Sequence, residues 1–211
     1  HDLEAPAPGF LEGVRSLADQ YGAVLIFDEI RTGFRVSMGG AQQYYGVTPD
    51  LSTFGKAMAN GYPIAAVTGK KTIMKKAEKE VFISSTYFPN SLEYAAALKT
   101  IEILQRDHIL EEIWAKGEKL NQGIRDVLAQ YPSAGANLSG IAPMMFITFK
   151  KDDSGSYKEK RKEFYTFLIR KGIFLQPYHH GYVCFRHTEE DIQKTTDTIR
   201  DALIYLQEKY S

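Results

Sequence analysis

The stretch "AVLIFDEIRTGFRVSMGGAQQYYGVTPDLSTFGKAMANGYPIAAVTGK", residues 23–70, decides how this chain is read. An unbroken apolar run ends at Asp28, directly after a helix stopped by Tyr21-Gly22. A run of that length in that place predicts a strand buried on both faces of a parallel sheet. A Gly-rich polar loop follows, then a second strand at "LSTFG" that ends just before Lys56, and a third at "IAAVTG". In open α/β sheets ligands bind outside the carboxyl ends of the strands. Asp28 and Lys56 both stand at such ends, 28 residues apart.

Working outward, Pro8-Gly9 opens a helix with Phe10, Leu11, Val14, Leu17 and Ala18 on one face. Downstream, "VFISST" at residues 81–86 predicts a fourth strand, and the helical "NSLEYAAALKTIEIL" begins at a capping Asn90 or Ser91. A longer helix carries Leu110, Ile113, Trp114, Leu120, Ile124 and Val127 at helical spacing and stops at Tyr131-Pro132. Then come a strand at "MMFITF", a charged loop, a helix through Phe164 and Leu168, and short strands at "IFLQ" and "YVCF". A last helix begins at "HTEED", where Thr188 with Asp191 resembles a capping box. Strands alternate with helices early and an α+β unit follows, which predicts domains over residues 1–106 and 107–211.

The bulk numbers narrow the function classes. The 211 residues carry 26 basic and 26 acidic side chains, so no net field points to nucleic acid or a membrane surface. No apolar stretch is long enough to span a bilayer. The single cysteine, Cys184, forms no internal disulfide, which fits a reducing, cytoplasmic setting. His179 and His180 have no further ligand at suitable spacing, so no metal site is expected.

A lysine in a partly dry crevice has a lowered pKa and attacks carbonyls. A nearby carboxylate keeps a pyridinium nitrogen protonated, and pyridoxal 5′-phosphate (PLP) needs both groups. The bland alternative is a loop-capping Asp and a solvated Lys.

The ordered motifs Asp28-Glu29-Ile30, Thr32-Gly33, Tyr45-Gly46-Val47-Thr48-Pro49-Asp50 and Gly55-Lys56 resemble the active-site segment of class III PLP-dependent aminotransferases. These are fold-type I enzymes, a group that includes glutamate-1-semialdehyde aminomutase. The likeness extends more loosely over most of the chain. It implies an α/β fold comprising the second half of a large PLP-binding domain plus a small C-terminal α+β domain, in a chain that starts inside a protein about twice as long. It also implies amino-group transfer from a small-molecule amino donor to a carbonyl acceptor, in a homodimer with a shared active site. Lys56 would form the Schiff base, Asp28 would pair with the ring nitrogen, and Ile30 would pack on the ring face. Thr86, with help from Ser85, would reach the cofactor phosphate of the neighbouring subunit.

Arg31 stands where relatives often carry Gln or Met; it touches the cofactor oxygen, binds a substrate carboxylate, or points away. Arg186 lies near substrate-contacting positions of relatives, and a plain surface role fits it equally. "STYFPNS" and "GKAMANGYPIAA" depart from the aminomutase pattern and favour an aminotransferase. The alternatives are an aminomutase, another PLP reaction on the same scaffold, or a non-catalytic interaction module.

Overall fold

Glycine brackets the first helix, α1 (Phe10–Tyr21), at both ends: Gly9 precedes it and Gly22 closes it in the left-handed region, donating its N–H to Ala18 and Asp19. The computed structural model describes residues 3–82, 84 and 90–210. It divides into two compact units, Pro6–Leu110, and Glu111–Ser211 with His1–Ala5.

In the first unit β1 (Ile26–Asp28) pairs in parallel with β2 (Leu51–Phe54), and β2 pairs antiparallel with β3 (Ala66–Gly69). The sheet order is β1-β2-β3. Between the first two strands lies the short helix α2 (Ala41–Tyr45), and a 3-10 turn over Lys56–Ala59 follows β2. Helix α3 (Lys71–Glu80) and helix α4 (Ser91–Arg106) complete the unit. As its sequence predicts, Asn90 caps α4, its side chain accepting from Leu92 N at 3.1 Å. The apolar cluster joins Phe54, Met58 and Ala59 to Ala97 of α4, with Phe34, Ile64 and Ile101 around them.

One expectation fails here. β1 is three residues long and is not buried on both faces: Val24 and Ile26 are more than half exposed. The reason is its position at the sheet edge, where among the described residues β2 is its only strand partner. Of the fourth strand expected over "VFISST", Val81, Phe82 and Ser84 are in no strand, and the rest lies outside the described residues. Helix α3 was not announced by the pattern, because its residues are mostly charged and none is buried.

The second unit is built on helix α5 (Ile109–Gln130), which starts just before the unit boundary, and on an antiparallel sheet. That sheet has the order β4 (Ala136–Ile141), β5 (Met144–Phe149), β6 (Gly181–Tyr182). "MMFITF" is β5 as expected, and all of it but Thr148 is buried. Helix α6 (Ser156–Arg170) packs on β5 and on helix α7 (Glu189–Tyr210), with Phe164, Leu168, Ile199 and Leu203 of the two helices all fully buried. Gly117 lets α5 approach the β4–β5 turn so closely that a Cβ would collide with the Ala142 carbonyl. The Thr188–Asp191 capping box forms, with Thr188 N donating to Asp191 at 2.8 Å and Asp191 N to Thr188 Oγ1 at 3.1 Å. "IFLQ" is not a strand and "YVCF" contributes only Tyr182, since β5 takes just a two-residue partner on that side. No helix of the described residues is long and apolar enough to cross a membrane.

Candidate active site

The parallel register sets Asp28 beside Thr53. Thr53 Oγ1 donates to Asp28 Oδ1 at 3.3 Å, and the backbone N–H of Ile30 donates to the same oxygen at 3.0 Å. The side chain of Asp28 is therefore exposed but oriented at the carboxyl end of β1.

Alternation along the strand turns the next carboxylate the other way. Glu29 is completely buried and accepts from Ala41 N at 2.7 Å, Gln42 N at 2.8 Å and the Thr32 hydroxyl. It satisfies orphan N–H groups at the start of α2, where the positive end of a helix favours an anion. Gly40 is obligatory there: its φ is +79°, and a Cβ would overlap the Glu29 carboxylate. Neighbouring carboxylates in the sequence thus do different work, one facing outward at the strand end and one fastening the loop beneath it.

Asp50 fastens the other end of the motif. It accepts from Lys70 Nζ at 2.5 Å, from Leu25 N at 2.7 Å and from Arg15 Nη1 at 2.9 Å. These bonds, that of Lys70 foremost, hold its carboxyl well below the usual carboxylate range. Pro49-Asp50 is therefore a structural clamp between α1, the approach to β1 and Lys70. The sequence marks Asp50 only by its place in the motif.

Lys56 follows β2 across the extended, buried Gly55. Its backbone φ is +46°, a conformation that costs a non-glycine residue about 1 kcal/mol or more. The ideal Cβ position at Gly55 is 3.9 Å from Ile30 Cγ2, so Ile30 lies over the backbone next to Lys56. Lys56 shares a shallow pocket of about 480 Å³ with Arg35, Asn60, Tyr62 and Ile64. The dry crevice expected around Lys56 is not closed by the described residues, because Lys56 is exposed.

Arg35, Tyr62 and Thr53 are site neighbours that sequence reasoning missed. The available signal was proximity to motif residues: Arg35 follows Thr32-Gly33, and Tyr62 follows the turn after Lys56. Ser85 and Thr86 lie outside the described residues. Arg31 is exposed in the first unit. Arg186 belongs to the second, also exposed, its guanidinium 6.0 Å from the Phe185 ring centre. His179 and His180 line a second-unit cavity of about 590 Å³ with Tyr182 and His187. Among the described residues no group of three or more His, Cys, Asp or Glu side chains is placed to hold a metal ion.

Comparison with known proteins sets this geometry in context. The profile described as "Aminotransferase class-III" matches residues 3–203. The 3-aminobutyryl-CoA aminotransferase of Cloacimonas acidaminovorans (strain Evry) is 55% identical over 202 residues, covering 96% of this chain and 49% of that protein. The glutamate-1-semialdehyde 2,1-aminomutase of Archaeoglobus fulgidus is 36% identical, over 95% of this chain and 50% of its own. Among solved structures, the PLP internal aldimine form of the FumI protein from Sphingopyxis sp. MTA144 matches with a TM-score of 0.87 at 28% identity, covering all of this chain and 50% of that one. An omega-transaminase from Sphaerobacter thermophilus has the same fold, with a TM-score of 0.84. The fold is that of the fold-type I PLP-dependent transferases, and the chain spans about half the length of the curated relatives it matches. With its Asp-Glu-Ile strand end, its Pro-Asp clamp and its Gly-Lys turn in a profile match over nearly its whole length, the chain belongs to the class III aminotransferase family.

Proposed function

We propose that this chain supplies the lysine and the acid of a PLP-dependent aminotransferase that moves an amino group from an amino donor to a keto acid, aldehyde or ketone. The observation that carries the reading is the parallel pairing that sets Asp28 beside Thr53, three residues before Lys56, in a chain of this family. When bound, PLP would supply an aldehyde that takes a lysine as a Schiff base and a protonated ring that withdraws electrons from the reacting carbon.

The residues present fit that group. Asp28 offers a carboxylate, held in place by Thr53 and Ile30 N–H, that would keep a proton on the ring nitrogen. Ile30 provides an apolar surface beside Gly55 for the ring face. Lys56 Nζ would be the amine that holds the aldehyde and the base that takes the proton from the substrate carbon bearing the amino group. Glu29 and Asp50 act further back: they hold the loop after β1 and the approach to β2, and so position Asp28 and Lys56.

The wider assignment belongs to the same proposal. Residues 1–106 serve as the second part of the large domain and 107–211 as the small C-terminal domain. The enzyme works as a cytoplasmic homodimer with a shared site, to which Thr86 and Ser85 reach from the neighbouring subunit; this rests on the resemblance and, for the compartment, on the lone Cys184. Arg31 and Arg186 are candidate carboxylate contacts. Identity of 55% with a 3-aminobutyryl-CoA aminotransferase supports a β-amino acyl thioester as the amino donor and disfavours the aminomutase reading.

Borohydride reduction of the PLP-loaded full-length protein, followed by peptide mapping, tests the assignment. The tag is expected on Lys56. A tag on Lys70 or Lys71 would sink it.

A further inference from the structure

Asp28 is exposed, and an exposed carboxylate is free to turn. The torsion that exchanges its two oxygens is broad, so the β1 backbone alone does not decide which oxygen faces outward. Two donors decide it. The Ile30 N–H at 3.0 Å and the Thr53 hydroxyl at 3.3 Å both reach Oδ1. Among the described residues Oδ2 accepts no hydrogen bond. A single donor would let the carboxylate pivot about one bond. Two donors, one just past β1 and one on β2, fix its direction.

Thr53 is itself held for this task. Its backbone carbonyl accepts from Glu29 N at 2.9 Å, which locks the register beside Asp28. Strand alternation puts Ser52 and Phe54 on the opposite face, where both are buried, and leaves Thr53 on the face of Asp28. On its other side Thr53 pairs with Val67 of β3, whose side chain offers the hydroxyl no acceptor. A β-branched side chain is stiff at its first torsion, so threonine aims its hydroxyl more firmly than serine does.

We propose that Thr53 is a positioning residue of the aminotransferase reaction: its hydroxyl turns Asp28 so that Oδ2, and not Oδ1, meets the ring nitrogen of the cofactor. The role rests on the reading above that Asp28 faces that nitrogen and that Lys56 holds the aldehyde. In this role Thr53 touches neither cofactor nor substrate. Its effect is confined to the contact between Asp28 and the nitrogen, so a cofactor lacking that nitrogen does not feel it.

The test compares PLP with its deaza analogue, in which a carbon replaces the ring nitrogen, on the full-length protein and on its Thr53→Val variant. Valine keeps the branched shape and the strand preference and removes the donor. Borohydride reduction and peptide mapping of the PLP-loaded chains come first. A tag on a lysine other than Lys56 sinks the reading of the site and the role of Thr53 with it. With the tag on Lys56, Thr53→Val should bind PLP about tenfold more weakly, as expected for losing one hydrogen bond to a charged group. It should bind the deaza analogue as the parent chain does. With PLP, kcat should fall about tenfold while KM for the amino donor stays within about twofold. Thr53→Ser should recover most of both losses. Equal affinity of the two chains for PLP, or an equal loss for both cofactors, overturns the role of Thr53 and leaves the Lys56 assignment standing. If the valine chain does not fold, the same two-cofactor comparison in Thr53→Ala decides the question.

Discussion

The two units are held together by different kinds of interior. In Glu111–Ser211 the most deeply buried side chains are apolar, with Phe164, Leu168, Ile199 and Leu203 at 0% exposure. In Pro6–Leu110 the largest fully buried side chain is a carboxylate, Glu29. Burial of apolar surface is non-directional and tolerates repacking. A buried carboxylate is costly unless each acceptor site is met, and so it specifies one loop arrangement. The first unit, which carries Asp28 and Lys56, thus uses hydrogen bonds to hold loops where the second uses packing to hold helices. Precise placement of a few polar atoms is the requirement of a catalytic site.

The comparison is sharpest at the adjacent residues Asp28 and Glu29. Asp28→Asn in the full-length holoenzyme should lower kcat by about a thousandfold, ~4 kcal/mol, with little change in the unfolding midpoint. A near-normal kcat in that variant would reduce Asp28 to a structural residue. In the second unit Phe164→Ala should cost about 3–5 kcal/mol in denaturant unfolding, because a fully buried ring leaves a cavity. A loss under 1 kcal/mol would show that this interior is far looser than its burial implies.

Glu29→Gln should destabilise by about 2 kcal/mol, since an amide cannot accept at both oxygens as the carboxylate does from Ala41, Gln42 and Thr32. Catalytic loss in that variant should follow loss of fold on heating, unlike Asp28→Asn; equal effects of the two would erase the distinction. Thr188→Ala, at the capping box of α7, should cost about 1 kcal/mol in thermal unfolding, with no effect on the first unit's chemistry.

The carboxyl of Asp50 is depressed in the folded state, chiefly by Lys70 and then by the Leu25 N–H and Arg15. A depressed carboxylate stabilises the fold fully above its unfolded pKa of about 3.9 and loses that contribution as pH falls toward the folded value. Asp152, which caps α6 through Ser156 N and Tyr157 N, is lowered to about 2, chiefly by the Ser156 and Ser154 hydroxyls, and acts with the same sign. Asp50→Asn should therefore flatten the acid limb of stability between about pH 4 and 2, measured by denaturant unfolding at each pH. An unchanged acid limb would mean that the clamp does not contribute.

Much of this was legible in the chain itself. The helix from Phe10, the strand at "MMFITF", the Asn90 cap and the Thr188–Asp191 box all follow from local patterns whose energetics are settled within a few residues. Asp28 and Lys56 could be picked out because a charged side chain at a strand end is a local signal too. What the tertiary structure decided was everything set by distant partners. "AVLIFDE" has the composition of a fully covered strand, yet exposure is fixed by which neighbours stand on either side, and among the described residues β1 has one. "IFLQ" has strand propensity without a partner edge among the described residues, whereas β4, with weak propensity, becomes a strand because β5 pairs with all six of its residues. Glu29 and Asp50 read as two more charges in a motif. Their donors come from α1, α2, the approach to β1 and Lys70, and only folding brings those groups within hydrogen-bond distance.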